Sequence, residues 1–282
     1  MHIKFRTSPS CLPGQALAAV RRAGLTRRSS FAQSNRATCD NLGPDRRSST
    51  PPRIRLPLWS MRAAATRAKA LSAISERGAL LVYPIANRKD PRSLWSALYP
   101  RSAMHWAWDE SADDRVVGLW HLREELARSR KVVYAKWYRG RAVFFSKDLF
   151  TDMLAAIAPW TVETSFEAGE IMDLLDENSP RSTKDVRREA GLRGRQGERV
   201  WQRCLKELWE ALLIVGTGEV DDGSFPSLEI GATRAIFEDL WDEAARRDRN
   251  MAIKNAEGRL EPAFLRHFRE SMEPVAPTSS GP

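Results

Sequence analysis

The stretch Arg181–Phe237 constrains this chain more than any other. It reads as a helix (STKDVRREAGL), a tight turn, a longer helix (RQGERVWQRCLKELWEALL) and a hairpin (IVGTGEVDDGSFPSLEI). Ser182 or Thr183 is placed to cap the first helix, and Gly191 stands where a left-handed stop belongs. Val186 and Ala190, four apart, give that helix one buried edge. The second helix has an apolar stripe of Val200, Trp201, Cys204, Leu205, Leu208, Ala211 and Leu212. Its opposite face carries Arg195, Gln196, Arg199, Gln202, Arg203 and Lys206, and the first helix adds Lys184, Arg187 and Arg188. Guanidinium and amide groups reach both phosphates and base edges, so such a face suits a helix entering a major groove. Val215–Gly218 and Ser227–Ile230 then alternate around Asp221-Asp222-Gly223, a hairpin signal. Helix, helix, strand, turn, strand is the order of a winged helix-turn-helix.

A plainer reading stands beside it, since arginines on an amphipathic helix often do no more than solvate a face. The hairpin also carries Glu219, Asp221 and Asp222. Phosphate would repel these acids, and they offer a surface to a protein partner instead.

The net charge of +9 does not belong to this region. Of 45 basic and 36 acidic residues, residues 1–60 hold 11 and 2, which leaves 34 of each in residues 61–282. The basic excess is thus a property of the leader and carries no argument for DNA binding. Residues 1–60 cluster Arg, Ser and Pro and read as disordered: a basic tail, a targeting peptide, or, the reading preferred, a mis-assigned start before a true start at Met61. No apolar run is long enough to span a bilayer. Cys11, Cys39 and Cys204 are odd in number and far apart, which suits a reducing, cytoplasmic setting rather than a disulfide framework.

From Met61 the chain turns periodic. A helix is expected over Arg62–Arg77, a strand over Ala79–Ile85, and a helical turn over Pro91–Leu98 with proline at its first position. Arg115–Ala127 follows as a helix started by Asp113 or Asp114. Lys131–Tyr138 and Arg141–Ser146 form a hairpin around Arg139-Gly140, and Ser146 caps a helix over Lys147–Ile157. Phe166–Glu177 is the first helix of the winged unit. Beyond it lie Ala232–Arg247, a polar stretch, and a last amphipathic helix, Pro262–Met272, before a disordered tail.

The middle segment repeats the logic of the later one, helix into two-stranded ribbon, and suggests a second, degenerate winged unit. Arg128–Asp148 is the most basic folded part, with Lys136, Arg139 and Arg141 among its cations and Tyr134, Trp137, Tyr138, Phe144 and Phe145 interleaved. Either these aromatics stack on or wedge between bases, or they are core and the charges protect an edge. Arg139, at the tip, has no core role open to it. His105, Trp106, Trp108, Asp109 and Glu110 form the one cluster that resembles a pocket wall, for which ordinary packing is the stronger explanation. The four histidines show no metal-ligand spacing, and there is no phosphate loop, GxSxG, HExxH or CxxC pair.

Four segments carry a resemblance: LLVYPIANRKDPRSLW, the Trp-rich segment after it, KVVYAKWYRGRAVFFS and LLIVGTGEVDDGSFPSLE. In this order, across Ala79–Phe237, they are similar to the AlkZ-related proteins, which resemble the winged-helix DNA glycosylases of the AlkZ and YcaQ type. The resemblance implies a tandem winged-helix architecture on damaged duplex DNA, with no metal or cofactor. Active glycosylases of that type use a Gln-x-Asp or Gln-x-Gln motif. Here Gln15, Gln33, Gln196 and Gln202 are the glutamines and none begins one, so no catalytic residue is carried over.

The expected fold is therefore α+β, mainly helical, with tandem winged helix-turn-helix units. Residues 61–160 form the degenerate unit with the basic hairpin, 161–237 the winged helix-turn-helix, 238–272 the C-terminal helices and 273–282 the tail. The expected function is non-catalytic binding of double-stranded DNA in repair or regulation. The alternatives are a glycosylase with a relocated carboxylate, Asp109 or Glu110, and a protein-interaction module.

Overall fold

The computed structural model describes residues 58–106, 113–223 and 226–272. Contacts group residues 64–282 into one unit and 1–63 into another, and apart from residues 58–63 of the first helix every element belongs to the larger unit. Residues 1–57 of the leader, the pocket-wall residues Trp108, Asp109 and Glu110, and the tail lie outside the described residues.

The chain is α+β and mainly helical. In order it forms α1 (Leu58–Arg77), β1 (Ala79–Leu81), α2 (Leu94–Leu98), α3 (Asp114–Ser129), β2 (Val133–Tyr138), β3 (Arg141–Phe145) and α4 (Lys147–Ile157). A 3-10 turn (Pro159–Thr161) leads to α5 (Phe166–Glu177), β4 (Arg181–Ser182), α6 (Thr183–Glu189), α7 (Gly194–Glu210), β5 (Ile214–Val220) and β6 (Ser227–Ala232). Then come α8 (Thr233–Ile236), α9 (Glu238–Arg246), α10 (Arg249–Arg259) and α11 (Pro262–Met272). Side-chain caps fix several starts. Asp113 accepts from the Arg115 N–H at 2.9 Å, and Ser146 accepts from the Leu149 N–H at 3.4 Å.

Three expectations change. Pro91 is not the first helical residue: Ser93 and Ser96 form a capping box and α2 starts at Leu94. The strand after α1 stops at Leu81. Val82 still donates to the Ala142 carbonyl at 2.9 Å, but the left-handed Ala86 and Asn87 then turn the chain away. The polar stretch before the last helix is itself helical, α10. Its buried face is only Ala252 and Ala256, four apart, which is too small an apolar signal to read from sequence.

All six strands join one antiparallel sheet, in the order β1-β3-β2-β5-β6-β4. Side chains alternate between its faces. Ala79, Leu81, Val133, Ala135, Val143 and Phe145 enter one core with residues of α4–α7 and α9–α11. Leu80, Val82, Val132, Tyr134 and Phe144 enter a second core with α1–α3. The sheet is thus a middle layer with helices on both sides.

The two hairpins are neighbours in this sheet through the pair Tyr134 and Gly216. A Cβ on Gly216 would lie 2.3 Å from the Tyr134 ring, so a side chain there would keep the hairpins apart. Because β2 and β5 run antiparallel, the tips point to opposite ends. The β2–β3 tip lies where α7 finishes, and the β5–β6 tip lies where β2 begins, roughly 30 Å away at the rise of an extended strand.

Candidate nucleic-acid interface

The turn between α6 and α7 is a close approach of backbone to backbone. Gly191 and Gly194 both have positive φ, 69° and 73°. A Cβ at Gly197 would fall 2.4 Å from the Leu192 carbonyl carbon, so the turn lies against the first turn of α7 in a space only glycine leaves. Arg187 fastens it. Its Nε donates to the Leu192 carbonyl at 2.8 Å, and its guanidinium pairs with Glu198. One expected contact residue is therefore occupied in holding the turn.

Helix α7 buries Trp201, Cys204, Leu208 and Trp209, and it exposes Arg195, Gln196, Arg199, Gln202, Arg203 and Lys206, the face read from sequence. The cations on that face are not equivalent. Arg203 pairs with Glu167 at 3.4 Å and Lys206 with Glu210 at 3.8 Å, while Gln202 donates to Glu198 at 2.8 Å. On the preceding segment Arg181 pairs with Glu189, Arg188 with Asp185 at 2.5 Å and Lys184 with Asp222 at 2.7 Å. Among the described residues Arg193, Arg195 and Arg199 have no acid partner. They stand together at the start of α7, whose first turn holds no acid and whose Arg193 cap makes no side-chain hydrogen bond. Arg193 was legible as part of the basic run, but only the helix boundary shows that it belongs with the exposed face.

Two of the three acids of the β5–β6 tip, Glu219 and Asp222, are engaged within the chain, while Asp221 is exposed. Glu219 pairs with Arg123 of α3 at 2.5 Å, with the two side chains only 9% and 11% exposed. The Arg123 guanidinium also lies over Trp120, 4.2 Å from the ring centre. Burial works against its charge, yet Tyr134, Tyr83 and Glu219 raise its pKa above the ordinary arginine value. Asp222 accepts from Lys184, from Ser227 Oγ at 2.6 Å and from Ser182 Oγ, the cap of α6. Burial again opposes the charge, but these hydrogen bonds outweigh it and bring Asp222 down to about 2. Glu219 and Asp222, which looked repulsive in sequence, tie the hairpin to α3 and to the start of α6.

The other hairpin shows the opposite pattern. Tyr134, Trp137, Tyr138, Phe144 and Phe145 are all buried, so its aromatics are core and do not stack on a ligand. Its tip, Arg139 and Gly140, has positive φ at both positions, 51° and 70°. Arg139 and Arg141 are exposed and Lys136 is half-buried, and none has an acid partner among the described residues. Arg139 lies over the Tyr138 ring at 5.5 Å.

Residues 64–273 match the model of a protein family described as AlkZ related. The chain belongs to the AlkZ-related family. This membership covers both hairpins, α7 and the C-terminal helices, and it points to a DNA-glycosylase-like fold. No curated protein and no solved structure matches this family member. Among its described residues no group of three or more His, Cys, Asp or Glu could hold a metal ion, and no helix is long and apolar enough to cross a membrane.

Proposed function

We propose that this AlkZ-related protein binds double-stranded DNA through the first two turns of α7, as a non-catalytic relative acting in repair or regulation. The order α5, β4, α6, α7, β5, β6, with β4 paired to β6, supports reading this region as a winged helix-turn-helix. The β2–β3 hairpin with α1–α3 is then the degenerate second unit of a tandem. The observation that carries the reading is the group Arg193, Arg195 and Arg199. These three cations lack an acid partner at one helix start, in a body whose total charge balances. Arg203 and Lys206 add to it, because exposed ion pairs are worth at most about 1 kcal/mol and phosphate can replace their carboxylates. The protein-interaction alternative loses support, since two of the three acids it would use are engaged within the chain.

The test is fluorescence anisotropy with a labelled duplex at several salt concentrations. Each phosphate contact contributes about 0.9 to the slope of log affinity against log salt. Replacing Arg193, Arg195 and Arg199 by alanine is expected to lower that slope by about 2 to 3 units, with little change in the thermal midpoint. An unchanged slope sinks the proposal. Incubation with alkylated duplex is expected to release no free base.

A further inference from the structure

Helix α5 turns an apolar and acidic face outward. Its residues Ala168, Ile171 and Leu175 are buried, three and four apart, and fix which side meets the core. The opposite stripe is Phe166, Glu170, Asp173 and Glu177, spaced four, three and four, and all four are exposed. It runs about 16 Å, three turns of helix. Phe166 is 78% exposed where the pattern calls for a polar residue, and the core makes no use of its ring. Three of the five exposed large hydrophobics among the described residues, Trp160, Val162 and Phe166, fall within seven residues, so apolar surface is concentrated here rather than scattered. The backbone around Phe166 is held on both sides. The Ser165 N–H and Oγ both donate to Glu207 of α7, at 2.6 and 2.7 Å, and Glu167 pairs with Arg203 at 3.4 Å. The charge is one-sided: residues 148–180 contain eight acids and no Lys, Arg or His. Two cations that approach from other elements are taken by acids flanking the stripe, Arg203 by Glu167 and Arg234 by Asp176. Among the described residues Glu170, Asp173 and Glu177 have no ion pair.

We propose that this face of α5 docks a cationic amphipathic segment of a partner protein, with Phe166 as the apolar anchor and Glu170, Asp173 and Glu177 meeting its Lys or Arg side chains. An exposed aromatic ring rimmed by charge is the pattern of a protein contact. The acids decide the kind of partner. They repel phosphate, and the cations that would balance them are absent from this stretch of chain, so the partner supplies them. The residues on either side of Phe166 are already tied to α7, so little freedom is lost on docking. The face uses neither the β5–β6 acids nor the free arginines of α7, and it stands whether or not the DNA reading holds.

The probe is a fluorescein-labelled peptide of leucine and lysine, patterned as an amphipathic helix of three turns. One control peptide replaces its lysines by glutamate and another its leucines by serine. Wild type is expected to bind the leucine–lysine peptide about 10-fold more tightly than either control. Phe166→Ala should weaken that binding about 10-fold while leaving the melting temperature and the affinity for duplex DNA unchanged. Glu170→Gln combined with Asp173→Asn should weaken it about 3-fold and flatten its dependence on salt. No binding of the leucine–lysine peptide by wild type overturns the proposal, as does equal binding by wild type and Phe166→Ala or equal binding of the glutamate control. Loss of duplex affinity in Phe166→Ala would assign the ring to DNA, and dimers that disappear in Phe166→Ala would assign the face to a second copy of the chain; either result overturns it. Failure of the α7 arginine test leaves these expectations unchanged.

Discussion

The two hairpins have the same topology and opposite treatments of charge. In β2–β3 the aromatics go inward and Arg139 and Arg141 stay outside without acid partners. At the β5–β6 tip two of the three acids are engaged within the chain, Glu219 by Arg123 and Asp222 by Lys184, Ser182 and Ser227. The lesson is that the charge a segment carries in sequence is not the charge it shows to a partner. A carboxylate held by a buried arginine or by several donors is a fastener. A lone arginine at a turn is surface.

Breaking the fasteners should have the largest effect. Glu219→Ala leaves the Arg123 guanidinium buried without its carboxylate, and removing one partner of a buried pair costs about 3–5 kcal/mol. The thermal or denaturant midpoint should fall accordingly. A loss under about 1 kcal/mol would mean that the pair contributes nothing to holding the hairpin against α3.

Asp222→Ala comes next. It removes the acceptor for three donors, for a loss of about 2 kcal/mol. The pH dependence follows from the direction of the shift. Asp222 is depressed from its ordinary 3.8 to about 2, so its contribution is complete above about pH 4 and is lost as pH falls toward 2. Melts from pH 5 to pH 2 should therefore converge for wild type and Asp222→Ala. Parallel curves would show that the carboxylate is not held in its charged form.

Arg139→Ala is the smallest and sharpens the contrast from the other side. An exposed tip arginine should change stability by less than about 0.5 kcal/mol. If the tip is a separate phosphate contact, the salt slope falls by about 0.9. No change in slope would confine DNA contact to α7.

Much of the fold was legible because it is written in local pattern. The caps Ser146, Ser182 and Asp113, the stop at Gly191, the Arg139-Gly140 turn and the exposed face of α7 are all set by residues within one or two turns of each other. Helix α10 and the start of α2 were misread because two alanines give almost no periodic signal and because Ser93 caps later than Pro91 suggested.

The candidate site divides the same way. Sequence alone determined which α7 residues face outward, because a 3.6-residue period and a strong apolar stripe leave one face for the rest. Tertiary structure decided which of them are free to bind. Arg203 is paired with Glu167 of α5, whereas Arg195 and Arg199 have no acid partner among the described residues, and on α6 Arg187 is consumed by a backbone carbonyl and Glu198. It also decided that Glu219 meets Arg123, 96 residues away, and that the two hairpins share one sheet at Tyr134 and Gly216 with their tips at opposite ends. The physical reason is range. Helix faces and turns follow from dihedral preferences of adjacent residues, while ion pairing and strand neighbours depend on which distant surfaces the packing of two cores brings together.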